Sequence, residues 1–75
     1  MPKITLRAAR VNAGLSQDEL AARLGVTREA VASWETGRVR VKDLHLYAIC
    51  HITGFKPEEL FLPDRVAGKT AKESN

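Results

Sequence analysis

Residues 15–38 read LSQDELAARLGVTREAVASWETGR, two helix-start signals on either side of a single glycine. Ser16, with Glu19 three residues on, has the pattern of a capping box, in which each side chain satisfies a backbone N–H that has no partner within the helix. Leu15 and Leu20 flank that cap as a hydrophobic staple. Leu20 and Leu24 repeat at helical spacing, and Ala21 beside them leaves room for a close neighbour. Gly25, just past the last apolar position, can take the left-handed conformation that reverses the chain after a helix. Thr27 caps a second helix, stapled by Val26 and Val31, with Val31 and Trp34 on its inward face and Gly37 at its end. Two short helices joined by a turn of about three or four residues make a helix-turn-helix spanning about 16–36.

The remainder of the chain fits around this unit. With 75 residues there is room for one domain, whose core is modest at this size, and 44% hydrophobic against 5% aromatic residues points to aliphatic helix packing in an all-α fold. Leu6, Ala9, Arg10 and Ala13 predict a first helix from about residue 4 to 13, stopped by Gly14. Asp43 and the apolar set Leu44, Tyr47, Ala48, Ile49 and Ile52 predict a fourth helix ending at Gly54. Pro57 suits the first position of a short fifth helix, with Glu58 and Glu59 near the positive end of its dipole and Leu60 and Phe61 covering the core. From residue 63 to 75 apolar content is low and periodicity absent, so a mobile tail is expected after a domain of residues 1–62. No internal repeat is present.

Composition narrows the setting. One cysteine cannot form an intrachain disulfide, the longest apolar run (residues 46–50) is far short of a membrane span, and the first residues lack a signal-peptide apolar region. A cytoplasmic protein that makes no membrane contact is expected. Residues 1–42 carry eight Lys/Arg and four Asp/Glu, whereas residues 43–75 carry four and five, so the basic excess accompanies the helix-turn-helix. Arg38, Arg40 and Lys42 follow the second helix of that unit, where flexible cations can meet phosphates and release counterions. In DNA-binding proteins that second helix enters a major groove, which makes double-stranded DNA the expected partner.

From about Leu6 to Phe61 the chain resembles the phage-repressor family of helix-turn-helix domains (Cro/CI-type, also called XRE). The resemblance rests on Arg10, Gly14-Leu-Ser-Gln17, Glu19-Leu-Ala21, Leu24-Gly-Val-Thr27, Val31, Trp34-Glu35, Gly37, Gly54 and Leu60-Phe61. It implies a compact five-helix, lambda-repressor-like DNA-binding domain, commonly a homodimer on a palindromic operator that controls transcription. It further implies that Gln17 anchors a phosphate beside the N–H groups of its helix, the alternative being a solvated first-turn residue, and that Arg10 pairs with Glu35 to hold two helices together. Two departures stand out: Val41 and Lys42 replace a frequent loop proline, and Thr53 occupies a usually apolar position.

The outward positions of the recognition helix are expected to be Arg28, Glu29, Ala32 and Ser33, opposite Val31 and Trp34. Arg28 matches the bidentate contact to guanine O6 and N7, or else meets a phosphate; Glu29 either accepts from a cytosine amine or orients Arg28; Ala32 suits a thymine methyl and Ser33 is permissive. Thr27, at the cap, joins Gln17 and the loop cations as a phosphate contact. His45 and His51, six apart, do not share a helical face, and with Cys50 they make a poor metal set; no nucleophile, acid/base pair or phosphate-binding glycine loop assembles either. No cofactor, metal or enzymatic activity is expected. The reading is a sequence-specific regulator, a repressor acting as a homodimer, with dimer contacts sought among Leu44, Leu46, Phe55, Phe61 and Leu62. Alternatives are an antitoxin that binds a protein toxin as well as its own operator, and a protein-interaction module with little DNA affinity.

Overall fold

The computed structural model describes residues 3–62; the expected tail at 63–75 lies outside the described residues. In chain order the elements are β1 (Ile4–Thr5), α1 (Leu6–Asn12), α2 (Gln17–Leu24), α3 (Arg28–Thr36), α4 (Asp43–Thr53), a 3-10 turn (Pro57–Glu59) and β2 (Leu60–Phe61).

The ends of α2 and α3 follow from local chemistry. Glu19 N–H donates to Ser16 Oγ at 3.0 Å while Ser16 N–H donates to Glu19 Oε1 at 2.8 Å, closing the capping box. At the other end Gly25 stands at φ 72°, ψ 30°, so that the Val26 N–H reaches back to the Ala21 carbonyl at 3.0 Å. Only residues 25–27 separate the two helices, because Thr27 at once accepts from the Ala30 N–H at 3.1 Å and starts α3. α3 ends in the same way as α2, with Gly37 left-handed and the Arg38 N–H on the Ser33 carbonyl at 3.0 Å.

Two expectations need correction. The first helix starts at Leu6 rather than near residue 4, because Thr5 is its cap, accepting from the Ala8 N–H at 3.0 Å, and a cap residue has extended backbone. The fifth helix is a single 3-10 turn. Pro57 opens it and the Glu59 carboxylate accepts from the Lys56 N–H at 2.7 Å, but Leu60 is already extended. The two extended dipeptides pair in parallel, Ile4 with Leu60 and Thr5 with Phe61, joining the two ends of the domain. Among the described residues the architecture is thus four helices and a small clasp, mostly helical as expected.

One core runs through all of it. Leu6 and Ala9 from α1, Leu20 and Ala21 from α2, Val31 and Trp34 from α3, and Leu46 and Ile49 from α4 are buried together with Val41, Leu60 and Leu62. The small Ala9 and Ala21 let α1 and α2 sit close to their neighbours, and Val41 fills the core from the 37–42 loop. This packing holds α3 with one face against the core and the opposite face outward.

Candidate nucleic-acid interface

The outward face of α3 differs by one residue from its sequence reading. Arg28 and Glu29 are exposed, Ala32 is half-buried, and Val31 and Trp34 point inward. Ser33, expected outward, is buried: its Oγ accepts from Arg38 Nη2 at 2.9 Å, and the loop after the helix folds back over it. Thr36 takes the outward place instead, on a row with Arg28 and Ala32 at four-residue spacing. That spacing was the signal that could have found it. Arg38, expected to be free for phosphate, remains largely exposed but commits one guanidinium nitrogen to Ser33.

Behind this face a single carboxylate joins three helices. Glu35 Oε2 accepts from Arg10 Nε at 2.6 Å, and Glu35 Oε1 accepts from Arg10 Nη2 at 3.3 Å and from Gln17 Nε2 at 3.0 Å. Arg10 uses its remaining nitrogen, Nη1, on the Leu15 carbonyl at 2.8 Å. The two charged side chains are 9% and 5% exposed, so the pair is almost dry and every donor of it that points inward is matched. Gln17 was expected to face a phosphate or simply solvent; it is half-buried, one amide N–H is held by Glu35, and the second is left over.

In front of that carboxylate lies an open concavity of about 680 Å³ bounded by α1, the start of α2 and α3. Gln17, Arg28, Ala32 and Thr36 line it together with Arg7 and Asp18, neither of which was singled out from sequence. Arg7 stands one turn before Arg10 and was legible as its neighbour on the same face; Asp18 is in the first turn of α2, beside the capping box. Asp18 Oδ1 lies 4.0 Å from Arg28 Nε, so the carboxylate that approaches Arg28 comes from α2, whereas the sequence reading had offered Glu29 as one that orients Arg28 or else meets a cytosine. Thr27 is exposed with its Oγ already accepting from Ala30, and Arg40 and Lys42 are exposed in the loop that leaves α3.

A family model described as Helix-turn-helix matches residues 6–60, most of the chain. The chain belongs to the Cro/CI-type (XRE) helix-turn-helix family. Beyond that model, no curated protein and no solved structure matches it.

Membership makes this helix-turn-helix protein a DNA-binding transcription regulator, and its geometry suits that work. α3 is nine residues long, about 13 Å at 1.5 Å per residue, a rod that fits a major groove lengthwise. The start of α2 lines the same concavity, and a helix start favours anions. Trp34 is not available for stacking on bases: it is buried, with its ring 5.2 Å from that of His45 on α4. Among the described residues no group of His, Cys, Asp and Glu is placed to hold a metal, and no helix is long and apolar enough to cross a membrane. Cys50 is half-buried against the core, and burial, reinforced by Glu58 and Glu59, pushes its thiol above the usual range. It is therefore a neutral packing group at neutral pH rather than a thiolate nucleophile.

Proposed function

We propose that the protein is a sequence-specific repressor that binds a palindromic operator as a homodimer, each copy laying α3 in a major groove about one helical turn from the other. The observation that carries this reading is the outward row of α3, Arg28, Ala32 and Thr36 with Glu29 beside them, held rigid from behind by Glu35. Arg28 reads guanine, and Glu29, Ala32 and Thr36 meet neighbouring base edges or methyl groups. Gln17, through its second amide N–H, Thr27, Arg38, Arg40 and Lys42 meet phosphates.

A face of four side chains contacts only a few base pairs, which supports two copies on one site: doubling the face multiplies the discrimination. The surface also supports it. Of the expected dimer contacts, Leu46 and Leu62 are buried in the protomer's own core and Phe55 is half-buried, which leaves Leu44 at 76% and Phe61 at 43% exposed, with Tyr47 near Leu44 at 61%. The repressor role follows the resemblance to phage repressors and is checked by placing a selected site across a reporter promoter.

Selection of duplexes from a random pool followed by salt titration tests the assignment of residues. Arg28→Ala is expected to lose about 1–3 kcal/mol at one base position, and Arg40→Ala to weaken all sequences alike while lowering the salt slope by about one. Equal losses by both variants on selected and random DNA would sink Arg28 as a base reader.

A further inference from the structure

We propose that Asp18, on α2 and not on the recognition helix, is a positioning residue that directs Arg28 to bases and away from phosphates. Arg28 Nε lies 4.0 Å from Asp18 Oδ1 across the edge of the concavity, with the two side chains 58% and 78% exposed. An ion pair as open as this is screened and contributes little to folding, so its consequence lies in what it does to the guanidinium. A guanidinium presents rigid donor edges. An Nε engaged with Asp18 leaves both Nη groups to DNA, and they form the fork that guanine O6 and N7 accept together.

The same carboxylate weakens the competing use of Arg28. Arg7, the second amide N–H of Gln17 and the first-turn N–H groups of α2 draw a phosphate toward this concavity. Asp18 at its edge opposes an anion there and holds Arg28 to one side. Every duplex offers phosphates, whereas only some offer guanine at the right step; a charge that disfavours the first contact more than the second raises discrimination while lowering total affinity. Asp18 also suits the positive end of α2 as a first-turn acid, and that role concerns stability alone.

The proposal rests on Arg28 reading a base, and one set of variants of the full chain separates the two ideas. Wild type, Asp18→Asn, Asp18→Glu, Arg28→Ala and the double variant Asp18→Asn/Arg28→Ala are carried through selection from a random duplex pool. Affinities are then measured at fixed salt for the selected site and for each base change at the position where Arg28→Ala loses its preference. Asp18→Asn is expected to lower the guanine preference there by about threefold to tenfold, to bind random DNA more tightly, and to steepen the salt slope by about one. Asp18→Glu keeps most of the preference, and in the Arg28→Ala background the Asn substitution leaves that position unchanged. Tighter binding to all sequences alike, or the same effect with Arg28 absent, would overturn the proposal and leave Asp18 a general repulsive charge. Should Arg28→Ala alone alter no base preference, the base contact itself fails, and the positioning role with it. Urea unfolding of Asp18→Asn reports its place at the helix start, which by itself cannot move the preference at one base.

Discussion

At the residue scale the molecule turns on Glu35. A carboxylate that is 5% exposed and accepts from Arg10 and Gln17 has all its charge answered by groups on two other helices. Removing one partner leaves the other charge buried without compensation, so Arg10→Met and Glu35→Gln are each expected to destabilise the fold by about 3–5 kcal/mol. Replacing both together with apolar residues of similar size should restore part of that loss. Chemical denaturation of the two single variants and the double variant, all in a stabilising osmolyte that keeps the single variants folded, measures the coupling; strictly additive losses would mean that the pair acts as two independent side chains. Sequence alone could place Arg10 and Glu35 opposite one another only through family resemblance, and it gave no sign of the Gln17 bond, since that contact spans 18 positions and exists only once the three helices have docked.

At the element scale, helix ends were the most legible part of the chain because their causes are local. Ser16 with Glu19, Thr27, Gly25 and Gly37 each act within a few residues, and each end falls where its cap requires. Gly25 supports a prediction about the turn itself. A Cβ built there meets nothing within 4 Å, so the only penalty for Gly25→Ala is the left-handed backbone at φ 72°. The expected loss is about 1–2 kcal/mol with the fold unchanged, read by thermal unfolding. A loss of zero would show that the turn relaxes to another conformation. Ser33 illustrates the opposite case. A helical wheel turns its side chain outward, and what covers it is the chain folding back after Gly37, with Arg38 donating to its hydroxyl, a contact of the helix end that periodicity does not carry. Thr36, by contrast, was readable from the spacing of 28, 32 and 36.

At the scale of the whole molecule, closure depends on a clasp that had no sequence signal. A two-residue strand is too short to show alternation, and Leu60-Phe61 looked like the end of a helix until Leu60 broke from the 3-10 turn into extended backbone. Leu60 is 3% exposed and touches the shared core, so Leu60→Ala is expected to remove about 2–5 kcal/mol. A domain this small has about 3–5 kcal/mol to lose, and the variant should be largely unfolded at ambient temperature by circular dichroism. A loss under about 1 kcal/mol would place the clasp outside the cooperative unit. The Glu35 junction has a further consequence at this scale. Because the tilt of α3 is fixed chiefly from behind, by Glu35 and by the buried Val31 and Trp34, scaffold and lettering are largely separate. If positions 28, 29, 32 and 36 read bases as proposed, exchange of side chains there is expected to write a new preference, with the orientation of the helix carried over intact from one text to the next.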